Sequence, residues 1–82
     1  MLRPMELGRF RKWLGDNALN AEEREFVDSL TPDELQAVAR FLMNNGVVLV
    51  QGVPQDAERA ERYLDGAYID VHAIRLGQVF RG

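Results

Sequence analysis

Eighty-two residues, 46% hydrophobic and 28% charged with three prolines, suffice for one small folded domain over residues 1–82 and are too few for more. The lack of cysteine excludes a disulfide framework, a thiolate metal site and a cysteine nucleophile. The net charge of −3 is unevenly spread: Met1 to Trp13 carries four basic side chains and one acidic, Leu14 to Glu58 nine acidic and two basic, and the remainder is nearly balanced.

The N-terminal stretch MLRPMELGRFRKWLG interrupts its apolar residues with Arg, Glu and Lys and so lacks a signal-peptide core. Val47 to Val50 is the longest aliphatic run, far short of the roughly 20 residues that span a bilayer. The expectation is a cytoplasmic protein with no membrane association.

A first helix is predicted from about Pro4 to Leu14, with proline in its first turn and Leu7, Phe10 and Leu14 at helical spacing. Gly15, Asp16 and Asn17 form the break that follows. Asn20 can cap a second helix through the backbone N–H near Glu23; Phe26, Val27 and Leu30 are its apolar face. In TPDE, Thr31 caps a third helix, Pro32 takes its first position and Glu34 returns a bond to the cap. Leu35, Val38, Ala39, Leu42 and Met43 define its inward face, with Phe41 at the edge and Gly46 as a left-handed terminator.

Val47 to Val50 is short, mostly β-branched and bounded by Gly46 and Gly52, which predicts a strand covered on both faces. A fourth helix is expected from about Gln55 to Leu64, with Ala57, Ala60 and Leu64 inward and Gly66 as its stop. The last segment admits two readings. As a strand from about Tyr68 to Leu76 it would pair in parallel with VVLV and complete a βαβ unit; as a helix it would align Ile69, Ala73, Leu76 and Phe80. The favoured architecture is α+β, three N-terminal helices packed on a short two-stranded sheet with a fourth helix crossing it. An all-α bundle is the alternative.

Four groups of residues bear on function. GVVLVQGVPQDAERAERYL resembles the adenylate kinase stretch in which a strand delivers a Gly-x-Pro turn followed by a helix with spaced alanines, a resemblance that implies nucleotide binding. It covers under a quarter of the chain. The chain has no Gly-x-x-x-x-Gly-Lys-Ser/Thr, and its one lysine, Lys12, lies in the first helix, so the turn is read as structural and no cofactor is expected. In YIDVHAIR, a strand would put Asp70 and His72 on one face, yet there is no second histidine or suitable nucleophile beside them, and no catalysis or metal binding is assigned.

The interleaved RFRKW segment holds Arg9, Lys12 and Trp13: on a helical wheel Arg9 and Lys12 lie together, Trp13 is offset from the main apolar stripe and Arg11 falls beside that stripe. Tryptophan and arginine are enriched where binding energy concentrates. Glu22, Glu25 and Asp28, with Glu23, Asp33 and Glu34, form an acidic surface able to steer a basic partner. The sequence therefore predicts a non-catalytic interaction or regulatory protein that binds another protein through Arg9, Lys12 and Trp13 or through Glu22, Glu25 and Asp28. A nucleic-acid-associated regulator using the basic first helix is the alternative, disfavoured by the net negative charge. A free strand edge leads to the further expectation of a homodimer.

Overall fold

The computed structural model describes residues 1–77, and among them it forms an α+β domain of four helices and one two-stranded antiparallel sheet. The order is α1 (Pro4–Asp16), α2 (Ala21–Ser29), α3 (Pro32–Asn44), β1 (Leu49–Val50), β2 (Val53–Pro54) and α4 (Ala57–Arg75). α1 packs on α2 and α3, α4 packs along α3, and the hairpin sits against α1. The core joins Phe10 and Leu14 of α1 to Val27, Leu30 and the Leu35, Val38, Ala39 and Leu42 stripe of α3. Each buried leucine or phenylalanine there contributes about 2 kcal/mol by leaving water.

The predicted caps of α2 and α3 hold in atomic detail. Asn20 accepts a bond from the Glu23 backbone N–H at 2.8 Å. Thr31 Oγ1 accepts from the Glu34 N–H at 3.1 Å while the Glu34 carboxylate accepts from the Thr31 N–H at 2.9 Å, completing the capping box. At the far end of α3 the Val47 N–H reaches Leu42 O and the Gly46 N–H reaches Met43 O, with Gly46 at φ 88°, a Schellman ending. Met43, expected inward, is exposed. Before α1, Leu2 and Gln36 exchange two hydrogen bonds, at 2.9 and 2.7 Å, that fasten the N-terminus to α3.

The sheet differs from the expected one. The partner of VVLV is the next segment of chain, so the pairing is antiparallel, with Val50 opposite Val53 and Leu49 opposite Pro54. Gln51 and Gly52, at φ 54° and 87°, form the two-residue turn, the positive-φ pair that matches strand twist. The Gln55 N–H donates to Val48 O at 2.9 Å, so by alternation Leu49 and Pro54 are a non-hydrogen-bonded pair and the missing proline N–H costs the ladder nothing. A Cβ at Gly52 would stand 2.2 Å from the Glu6 carbonyl oxygen; this close approach admits only glycine. The strand is not covered on both faces, since Val48 and Val50 are 61% and 51% exposed.

The predicted strand over Tyr68–Leu76 is instead the second half of α4, and no βαβ unit forms. Gly66 does not stop the helix. It lets α4 approach α3, where an added Cβ would lie 2.9 Å from the Phe41 ring. The inward face of α4 is Ala60, Leu64, Ala67, Tyr68 and Val71, so packing against α3 overrides the β propensity of Ile69, Val71 and Ile74. The alternative helical stripe points outward, with Ile69 and Leu76 at 66% and 71% exposure; its fourth member, Phe80, lies outside the described residues. Gly77, at φ 71°, follows the helix end.

Candidate functional site

Arg9, Lys12 and Trp13 stand at i, i+3 and i+4 on α1. With Asp16 and Val53 they line a hollow of about 210 Å³ where α1 meets the hairpin. Trp13 is half-buried and packs against the core, so its indole closes the core and also presents an edge to the surface. Arg9 donates to Gln51 Oε1 at 3.2 Å, and Lys12 pairs with Asp16 at 2.9 Å. Arg11 is committed elsewhere. Its guanidinium donates to Val27 O and Leu30 O at 2.8 and 2.7 Å, placing positive charge on the carbonyl end of α2.

A larger cleft of about 530 Å³ opens between α2 and α4. On α2, Glu22, Glu25, Phe26 and Ser29 share one face at helical spacing; on α4, Tyr68 and His72 stand one turn apart. Phe26 bridges the two helices: His72 stacks on it at 4.6 Å and 19°, Tyr68 meets it edge-on at 5.2 Å, and the Arg75 guanidinium lies 5.0 Å from the ring centre. Glu23, also at the rim, accepts a bond from the Leu19 N–H at 2.7 Å.

Tyr68 is only 7% exposed, and among the described residues its hydroxyl has no hydrogen-bond partner. Burial, reinforced by the charges of Glu23 and Asp65, pushes the phenol above its ordinary range, so it stays protonated and able to donate.

One end of the cleft is fastened by a buttressed ion pair. Arg75 Nη2 and Nε donate to the two oxygens of Glu34 at 2.6 and 2.9 Å, and Nη2 also approaches Ser29 O at 3.3 Å. The hydrogen bond from Arg75 does most to hold the Glu34 carboxyl down at about 2; burial opposes it and the Thr31 N–H assists. Arg75 is raised in return, chiefly by the same bond.

The six predicted contact residues thus fall on separate surfaces. Arg9, Lys12 and Trp13 are together, Glu22 and Glu25 line the larger cleft, and the exposed Asp28 belongs to neither hollow. Asp70 and His72 are parted by the helix: His72 packs on Phe26 while Asp70 faces solvent. The Gly52 turn, read as structural, rests on Glu6, and the N-terminus of α4 beyond it is capped by Asp56, which accepts from the Arg59 N–H at 3.1 Å. The sequence reading does not place the aromatic side chains Phe26, Tyr68 and His72 in this cleft. The spacing of Tyr68, His72 and Arg75 is a signal for one helical face, visible only if the segment is read as a helix.

Among the described residues no helix is long and apolar enough to cross a membrane. In comparisons with known proteins no family model matches the chain, and neither curated proteins nor solved structures give a significant match.

Proposed function

We propose that the chain is a non-catalytic cytoplasmic interaction or regulatory protein that docks another protein on the α1 face bearing Arg9, Lys12 and Trp13. The observation that carries this reading is the half-buried indole beside two exposed cations at a hollow also lined by Val53. Indole edges held by a core and flanked by polar groups are the surfaces on which interface energy concentrates. The Lys12–Asp16 pair is exposed and worth little, so a partner carboxylate displaces it at small cost. Nucleic-acid association is the second reading, favoured by Arg9 and Lys12 sharing one side of α1 and weakened by the burial of Arg11 against α2.

The test is affinity capture from host lysate with the wild type, Trp13→Ala and the surface variant Arg9→Glu/Lys12→Glu. Partners retained by the wild type and lost by both variants are the expected result; identical partner sets overturn the assignment. Retardation of DNA or RNA that falls steeply with salt would favour the second reading instead. Self-association through the exposed Val48 and Val50 edge belongs to the same proposal, and a monomer mass in sedimentation ends that part of it.

A further inference from the structure

The cleft between α2 and α4 is separate from the Trp13 surface and has a chemistry of its own. Its rim carries Glu22, Glu23 and Glu25, and among the described residues none of them is in an ion pair. Its aromatic lining is Phe26 with Tyr68 perpendicular to it and His72 stacked on it. Tyr68, 7% exposed, also lines it, and among the described residues its hydroxyl has no hydrogen-bond partner, which leaves that group free to take one from outside. Arg75, the cation over the Phe26 ring, is spent on Glu34.

We infer that this cleft is a binding site for an arginine side chain presented by a segment of another protein. Charge complementarity selects a cation, and the aromatic lining selects one with an apolar stem. Guanidinium is favoured over ammonium for two reasons. It is more weakly hydrated, and its planar set of donors can serve the Tyr68 hydroxyl oxygen and carboxylates of the rim together. The chain displays the same recognition internally, since Arg75 lies over Phe26 while its guanidinium grips the Glu34 carboxylate with two bonds. The volume, about 530 Å³, exceeds what one side chain needs and leaves room for the neighbouring residues of the segment.

The decisive experiment measures fluorescence anisotropy of a short fluorescein-labelled glycine–serine peptide carrying spaced arginines, against its twin with citrulline, the neutral isostere. The arginine peptide binds saturably, and citrulline weakens it by about tenfold or more because the charge-assisted bonds are lost. Tyr68→Phe weakens the arginine peptide by about tenfold while leaving the melting temperature unchanged or raised, since it deletes a hydroxyl with no internal partner. Glu22→Gln/Glu25→Gln, confined to the surface, weakens it as well. Trp13→Ala leaves it unchanged, so this site and the Trp13 surface stand or fall separately. Equal affinity for the two peptides overturns the inference, as does a Tyr68→Phe chain that binds like the wild type. A dimer mass that disappears in the Glu22→Gln/Glu25→Gln variant also overturns it, because the occupant would then be a second copy of the chain.

Discussion

α4 meets two helices in different ways. Against α3 it lays down small residues, Ala60, Gly66 and Ala67, so the backbones come close and Phe41 fills the space over Gly66. Against α2 the helices stand apart, and the ring of Phe26 reaches across to Tyr68, His72 and Arg75. Close contact between small residues leaves no void and no choice of partner. A single aromatic bridge leaves a cleft beside it. The same helix is therefore a structural spine on one side and the wall of a binding hollow on the other.

The contrast can be broken from either side. On the α3 side, Gly66→Leu drives a branched side chain into the Phe41 ring, and an expected loss of about 3 kcal/mol reads out as a lower midpoint in urea unfolding. On the α2 side, Phe26→Ala removes a ring that is half-buried, so the loss is smaller, about 2 kcal/mol. Its signature is local. Amide exchange should quicken through α2 and the end of α4 while the α3 amides keep their protection, and uniform loss of protection would show that the two contacts are one cooperative unit.

The smallest effect concerns the ion pair that fastens the end of the cleft. The Glu34 carboxyl is depressed in the folded chain from 4.5 to about 2, so its stabilising contribution is present above pH 4.5 and fades as the pH falls through that window towards 2. Glu34 is 16% exposed and Arg75 34%, so solvent screens part of the interaction and the contribution is about 1 to 2 kcal/mol. The measurement is chemical unfolding of wild type and Glu34→Gln as a function of pH. The two should differ near neutrality and converge in acid; a difference independent of pH would show that the charge of Glu34 is not what stabilises the fold.

Legibility in the sequence follows the range of the interaction. α1, α2 and α3 are announced by local chemistry: Pro4 in a first turn, the Asn20 cap and the Thr31–Glu34 box, each acting within a few residues of itself. The hairpin was hidden because its turn is Gln51–Gly52, where the recognised signal is Asn-Gly or Asp-Gly, and Gln51 is held at positive φ by strand pairing and contact with α1. The sequence divides α4 in two because Gly66 reads as a stop. Only the ring of Phe41, distant in sequence, reveals that a missing side chain is required there. The site divides the same way: Arg9 and Lys12 are neighbours on one helix and spacing groups them, whereas the cleft needs α2 and α4 together. Glu22 and Glu25 were visible as an acidic face, but the aromatic lining became visible only with the tertiary contact of Phe26.

The seating of Gly52 on the carbonyl of Glu6 bears on how this chain tolerates engineering. Hairpin tips are the usual place to splice in a tag, an epitope or new termini, because they project into solvent. Here the tip is buried against the opening turn of α1, and extra residues would pry the hairpin off the helix. The permissive position is the α1–α2 connection at Leu19, an exposed residue whose side chain contributes nothing to the core.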